Sequence, residues 1–294
     1  MKSFFRLSTI LLLSVAGLLS LPASASAAEG KPVRVATLLP FVEDALRVAG
    51  DGVTVVASIR RSVHAPLADG IIDLGNPHSP NMEKLAEARA DIVVGDESVH
   101  GRFGPAIAAT GAKVLMIETS DVDSTFVALA EVAKAIGGSE ALDARIAETR
   151  AAVEAASVEG SPKILTLFGA PGTFYVMTDR AWLGDLAKRI GYQAAIADGG
   201  SERFPGLVPV SDEIMAMARP DLVLLIAHGN PTQIRAELDR RTQRGGAWAG
   251  LAGAKLGVHV LDPALFSANP GLDLVRAADE LVRLGAGGSE AATR

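Results

Sequence analysis

The sequence contains no cysteine. That excludes disulfides, zinc–thiolate sites, iron–sulfur clusters, thiol nucleophiles and a lipid anchor on an N-terminal Cys. Aromatic residues are scarce, at 4% of the 294, too few for a broad stacking platform for bases or sugars. No long Lys/Arg run occurs, and 34 acidic side chains outnumber 28 basic ones for a net charge of −6. Nucleic-acid affinity rests on phosphate contacts from basic side chains, so nucleic acid is set aside as a partner. Catalytic signatures are missing too: there is no GxSxG, GxxxxGK[ST] or HExxH, and no complete GxGxxG after a strand pattern.

What is present suits a packed chain of one large or two smaller domains, with 49% hydrophobic residues. Lys2 and Arg6 precede the apolar run Leu7–Leu21, and Pro22-Ala-Ser-Ala-Ser-Ala-Ala28 follows it. A basic start, a short apolar stretch and small residues at A-x-A spacing predict a signal peptide over 1–27, cleaved near Ala25 or Ala27. The run is short for a membrane span, and no later apolar stretch reaches span length without charge. The expected address is the periplasm, without a lipid anchor.

Apolar runs of strand length then alternate with helical patterns, which predicts an α/β fold with mostly parallel sheets. Strands are expected at Val33–Leu38, Val53–Ser58, Ile71–Leu74, Ile92–Gly95 and Val114–Ile117. Helices are expected at Phe41–Ala49, Pro80–Ala88, Pro105–Thr110 and Asp123–Ile136. Gly137-Gly138 stops this series, and Ser139 can cap a charged helix reaching about Ala156, roughly 27 Å long. After Gly160-Ser-Pro162 the rhythm restarts, with strands at Lys163–Phe168, Tyr175–Met177, Leu222–Ile226 and Val258–Leu261. Two α/β lobes flanking a single long α-helix are therefore expected, ahead of one continuous sheet, because the charged helix sits midway between two complete β/α series: an N-terminal lobe over 28–138, the connecting helix over 139–157, a C-terminal lobe over 158–284 and a disordered tail over 285–294.

Four of the five histidines follow predicted strands. His64 lies six residues past Ser58, His78 four past Leu74, His100 five past Gly95 and His228 two past Ile226. Open α/β sheets bind ligands at that strand edge. Neutral imidazole ligates transition metals and haem iron. Loop histidines are also common as plain solvated residues, and His259, inside a strand pattern, reads as structural. His78 and His228, from different lobes, form the leading pair, and Asp96 and Glu97 could add oxygen ligands beside His100. Prolines stiffen both loops, in Gly75-Asn-Pro-His78-Ser-Pro80 and Ala227-His228-Gly-Asn-Pro231. Phe174 and Tyr175 could wall a flat ligand or belong to the core. Such sites suit haem, a small metal chelate, or a bare iron, zinc, nickel, cobalt or copper ion. A His-bound metal with an open position could also activate water, so a metallohydrolase stands as the alternative of another class.

Three marks, in order, carry a family resemblance: Gly75-x-Pro-x-x-Pro-Asn-Met-Glu83-Lys-Leu with Asp91-Ile-Val-Val beyond it, the long middle helix, and Val210-Ser-Asp-Glu213 followed by Arg-Pro220-Asp-Leu-Val. The chain resembles the substrate-binding proteins of ABC importers for iron-siderophores, haem and vitamin B12. That resemblance implies two Rossmann-like lobes joined by a single long α-helix with the ligand cleft between the lobes, in a soluble, monomeric receptor delivering a metal-centred ligand to a permease dimer with its ATPase, and no catalytic cofactor. It also implies that Glu83 and Glu213 dock against the two permease subunits. Ile164-Leu-Thr-Leu-Phe-Gly-Ala-Pro-Gly172, Leu183-Gly-Asp-Leu186 and Ala227-His228-Gly-x-Pro231 resemble the haem-receptor branch, which implies His228 as an axial ligand of haem iron. That branch has methionine where this sequence has His78, so a bis-His site or a site for a bare ion or chelate is implied instead. Arg60, Arg61, Arg102 and Arg203 are candidates for pairing with haem propionates.

Overall fold

The computed structural model describes residues 31–60, 66–197, 200–201, 204–243, 245–246 and 248–287. The predicted signal peptide, Arg61, His64, Arg203 and residues 288–294 lie outside the described residues. In chain order the first half contains β1 (Val33–Thr37), α1 (Pro40–Ala49), β2 (Val53–Ser58), β3 (Ile72–Asp73), β4 (Gly75–Asn76), β5 (Ser79–Pro80), α2 (Met82–Glu87), β6 (Ile92–Asp96), α3 (Glu97–His100), α4 (Gly104–Ala108), β7 (Lys113–Ile117) and α5 (Val122–Ala135). After α6 (Glu140–Ala155) come β8 (Lys163–Ala170), β9 (Thr173–Met177), α7 (Trp182–Arg189), β10 (Gln193–Ala194), β11 (Gly200–Ser201), β12 (Phe204–Pro205), β13 (Leu207–Pro209), α8 (Asp212–Met217), β14 (Leu222–Ala227), α9 (Pro231–Arg241), β15 (Val258–Val260), α10 (Pro263–Phe266) and α11 (Leu274–Gly285).

The first sheet is wholly parallel in the order β3-β2-β1-β6-β7. Its strand order reverses between β1 and β6, the kind of switch point beside which such sheets bind ligands. The second sheet runs β13-β9-β8-β14-β15, with β10 also paired to β8. This sheet too is mostly parallel, as expected, and the exceptions are two pairings, β9 with β8 and β13 with β9, which are antiparallel. The cause is local: Pro171-Gly172 turns the chain in two residues, with Ala170 opposite Thr173, so β9 must return along β8. Central strands read as unbroken apolar runs because both faces are covered. All six residues of β14 are buried.

Boundaries shift where side chains decide them. The helix expected from Pro80 starts at Met82, since Pro80 pairs with Gly75 in a hairpin and the Asn81 side chain accepts from the Lys84 N–H at 2.9 Å. α6 spans 16 residues, about 24 Å. Ser139 accepts from the Leu142 N–H at 3.3 Å and donates to the Ala49 carbonyl at 3.3 Å, so the start of α6 is tied to the end of α1. α11 continues to Gly285, where the disordered tail was expected to begin.

One apolar cluster joins the two halves. Phe41, Leu46, Phe126, Leu129, Leu142 and Val153 belong to the same buried core as Trp182, Leu186, Phe266, Leu274 and Leu281. Trp182 stacks on Phe266 with ring centroids 6.2 Å apart. Polar contacts reinforce this seam. The Asn269 amide donates to the Thr119 carbonyl at 3.2 Å and to Thr125 Oγ1 at 2.6 Å. Asp185 accepts from the Val122 N–H at 3.0 Å, and Arg189 donates to Asp123 at 2.7 Å. That Arg189 bond, opposed by burial, holds the Asp123 carboxyl below its ordinary pKa.

Gly271 sits on the seam at φ +59°, and a Cβ there would lie 2.5 Å from Phe41 Cδ2 and 2.9 Å from Phe41 Cβ. Gly271→Ala therefore combines left-handed backbone strain with overpacking. It is expected to destabilise the protein by about 2–4 kcal/mol in urea unfolding. A loss below about 0.5 kcal/mol would show that the seam yields freely.

Candidate functional site

His228 stands immediately beyond β14, and the sequence explains why it is held there. β14 pairs with β8 as far as Ala227 opposite Gly169, and the His228 N–H extends the ladder by donating to the Gly169 carbonyl at 2.7 Å. Gly169 has no room for a side chain, because a Cβ would come within 2.6 Å of Ile234 on α9. Gly229 then turns the chain at φ +124°, which favours glycine. Asn230 caps α9 by accepting from the Gln233 N–H at 3.1 Å, and Pro231 occupies the first turn. The imidazole is exposed and stacks on Phe168, with centroids 5.5 Å apart and planes at 30°. One ring face is thus covered and its orientation restrained.

His78 occupies the tip of the β4–β5 hairpin, just past β3. Asn76-Pro77-His78-Ser79 has Asn and Pro where a type I turn favours them. Asn76 Oδ1 accepts from the His78 N–H at 2.8 Å. At the base of the hairpin, Asp73 accepts from the Gly75 N–H at 2.9 Å and from Arg60 Nε at 2.7 Å. Burial opposes ionisation of Asp73, but the Gly75 amide and Arg60 outweigh it and hold its pKa below the ordinary value. The His78 side chain is exposed.

The other candidates separate into distinct roles. His100, expected as a ligand, is only 1% exposed. Its Nδ1 accepts from the Asp96 N–H at 2.9 Å, and its Nε2 lies 3.1 Å from the Pro77 carbonyl. Both ring nitrogens are occupied, so His100 presents no lone pair to a ligand. Asp96 is buried and occupied as well: it caps α3 through the Ser98 and Val99 N–H groups and accepts from Thr119 Oγ1 at 2.7 Å. Glu97 is exposed in the first turn of α3, at the switch-point edge of the first sheet. Arg60 is engaged with Asp73 rather than standing free for an anion. Arg102 donates to the His78 carbonyl and lies over the Phe103 ring at 4.7 Å. Tyr175 is half-buried in β9, opposite Phe168 on one side and Pro209 on the other. Phe174 is buried edge-on against Trp248, and His259 Nε2 lies 2.7 Å from the Leu256 carbonyl. Among the described residues no three His, Asp or Glu side chains cluster closely enough to hold an ion by themselves.

Glu83 and Glu213 occupy equivalent local positions. Each is exposed at the second residue of a six-residue helix, α2 in one half and α8 in the other. Each helix is capped by a side chain, Asn81 to the Lys84 N–H and Ser211 to the Ile214 N–H. Sequence reasoning missed α3, although Asp96 followed by Ser98 is a readable capping signal. It also missed that the Pro77 carbonyl would take up His100.

The chain belongs to the periplasmic binding protein family, whose pattern matches residues 35–251. It is 22% identical over 218 residues to the high-affinity heme uptake system protein IsdE of Staphylococcus aureus, a match covering 72% of this chain and 73% of that one. Its fold matches the crystal structure of S. aureus IsdE complexed with heme at TM-score 0.72, with 18% identity over 86% of this chain and 98% of the other. An ABC transporter substrate-binding protein from Listeria monocytogenes matches at TM-score 0.73, also 18% identical and with the same coverage, 86% and 98%. BhuT, described as a periplasmic heme-binding protein and solved with two hemes, matches at TM-score 0.68 and 21% identity, over 87% of this chain and 99% of that one.

Burial depresses the His100 pKa against the opposing pull of Asp96, with His78 and Arg102 adding to the depression. Unfolded, this histidine titrates near 6.5. The unfolded chain therefore binds the extra proton first, and stability falls as pH drops through about 6.5 towards the lower folded value. Histidine NMR titration is expected to place His100 below about 6.5, with urea midpoints lower at pH 5.5 than at pH 7.5. A His100 titration above that value would contradict the burial seen here.

Proposed function

We propose that the protein is the exported receptor of an ABC importer and that its cargo is haem, gripped through iron by His78 and His228. The observation that carries this reading is the pair of exposed histidines on stiff turns at strand carboxyl ends, one in each half. Two imidazoles supply two donors, and among the described residues no cluster completes a shell for a bare ion. A cargo that brings its own equatorial donors suits such a pair, and a porphyrin brings four in a plane, leaving both axial positions to histidine. The Phe168 ring against His228 adds an apolar surface beside a flat ligand. Relatives named for haem support the same cargo. A compact metal chelate is the second reading, favoured by the same histidine pair and distinguished by its lack of a porphyrin spectrum. The leader pattern before residue 28 supports export to the periplasm.

In this reading the two lobes cradle the cargo and two carboxylates present it. Glu83 and Glu213, one per half on matched short helices, meet basic residues of the two permease subunits. Exposed charge pairs add little affinity singly, but they steer encounter and set orientation.

Ferric haem titrated into the purified chain is expected to give a low-spin, six-coordinate spectrum. His78→Ala and His228→Ala should each weaken binding at least about tenfold, since one lost axial bond costs well over the 1.4 kcal/mol of a decade. Wild-type affinity in both variants would end the assignment. Glu83→Lys combined with Glu213→Lys should leave haem affinity near wild type while uptake into vesicles carrying the permease falls sharply. Undiminished uptake would sink the docking role.

A further inference from the structure

We infer that Arg102 is a positioning residue that holds the His78 turn in ligand-binding geometry, completing an anchor that buried His100 begins. The inference rests on His78 contacting the cargo, as proposed above. It assigns Arg102 to the protein's own backbone and not to an anionic group of the ligand.

The two candidate ligand histidines are held very differently. His228 is fixed by the sheet itself, one ladder bond beyond β14. His78 sits on a two-residue turn whose own strands are two residues each, and such a hairpin is marginal by itself. Its restraint comes from outside, from the segment that follows β6. The Asp96 N–H can only donate, so His100 Nδ1 accepts at 2.9 Å, and the proton of the neutral ring is on Nε2. Nε2–H then donates to the Pro77 carbonyl at 3.1 Å. One residue further along the turn, the Arg102 guanidinium donates to the His78 carbonyl. Consecutive carbonyls are thus held from one short segment, His100–Arg102. That segment is itself rooted by Asp96, which caps α3 and accepts from Thr119.

Arg102 is restrained in turn by Phe103, whose ring lies 4.7 Å from its guanidinium carbon. A planar donor lying over its neighbour's ring and bonded to one carbonyl gives the turn a fixed azimuth, and through it a fixed direction for the His78 imidazole. Axial ligation demands that direction to within a fraction of an ångström, so the supporting contact governs coordination without touching the cargo. Arg102 is exposed, so its removal need not disturb the fold.

The test compares Arg102→Met, Arg102→Lys and His78→Ala in the full chain, with ferric haem as the probe. Thermal unfolding, haem affinity and the spin state of bound iron are read for each. Arg102→Met is expected to keep the wild-type unfolding temperature, to weaken haem binding about 5- to 20-fold, as loss of one charge-assisted hydrogen bond would, and to convert part of the iron to high spin. Arg102→Lys, which keeps a donor within reach, should restore most of the low-spin signal. If Arg102→Met binds weakly but stays fully low-spin, Arg102 touches the ligand's carboxylates and positioning is overturned. If Arg102→Met matches wild type while His78→Ala loses affinity, the inference alone falls. If His78→Ala also matches wild type, the reading of the site falls and takes the inference with it.

Discussion

A single buried apolar cluster spans α1, α5 and α6 on one side and α7, α10 and α11 on the other, and the rest of the architecture depends on it. Each half has its own sheet, but neither half buries this cluster alone. Every fully buried Leu or Phe in it is worth roughly 1.5–3 kcal/mol, so separating the halves would expose far more apolar surface than a marginally stable chain can lose. Asn269, Asp185 and Arg189 add directional contacts to the same seam. Their part is to fix orientation, since exposed ion pairs contribute little to stability. The described residues from Pro32 onward accordingly form one compact unit. In the proposed reading, recognition falls to the short turns that follow β3 and β14.

Those turns divide the chemistry. At β14 the sheet positions His228 directly, and Gly169 and Gly229 supply the room and the backbone freedom. After β3 the hairpin is too small to hold itself, so polar side chains from beyond β6 support it. Asp96 and His100 are spent on the backbone: one caps α3, the other bridges the Asp96 N–H and the Pro77 carbonyl. Their burial removes them from the ligand set. Among the described residues His78 and His228 remain as candidate ligands, a number that suits the proposed cargo, which already carries most of its metal's donors.

Much of this was legible in the sequence because it is locally encoded. Alternating apolar runs and the Ser139 cap marked the helices and strands, and β2 spans the expected Val53–Ser58. The ordered motifs around Glu83 and Glu213 pointed to the family that the match over residues 35–251 shows. What the sequence hid is non-local. Nothing in the spacing of His100 reveals that a carbonyl 23 residues earlier meets its Nε2. Arg102 and Arg60 read as free cations until the His78 carbonyl and the Asp73 carboxylate were seen to engage them. The antiparallel return of β9 followed from a two-residue turn whose Pro and Gly were visible, but whose partner strand was not.

The proposed haem cargo is tested most directly by the visible spectrum and metal content of the protein isolated from the compartment of its own cell. A Soret band with one iron per porphyrin, low-spin and lost on denaturation, is the predicted result. A stoichiometric metal ion without any porphyrin absorption would contradict it and return the histidine pair to a chelate or a bare ion.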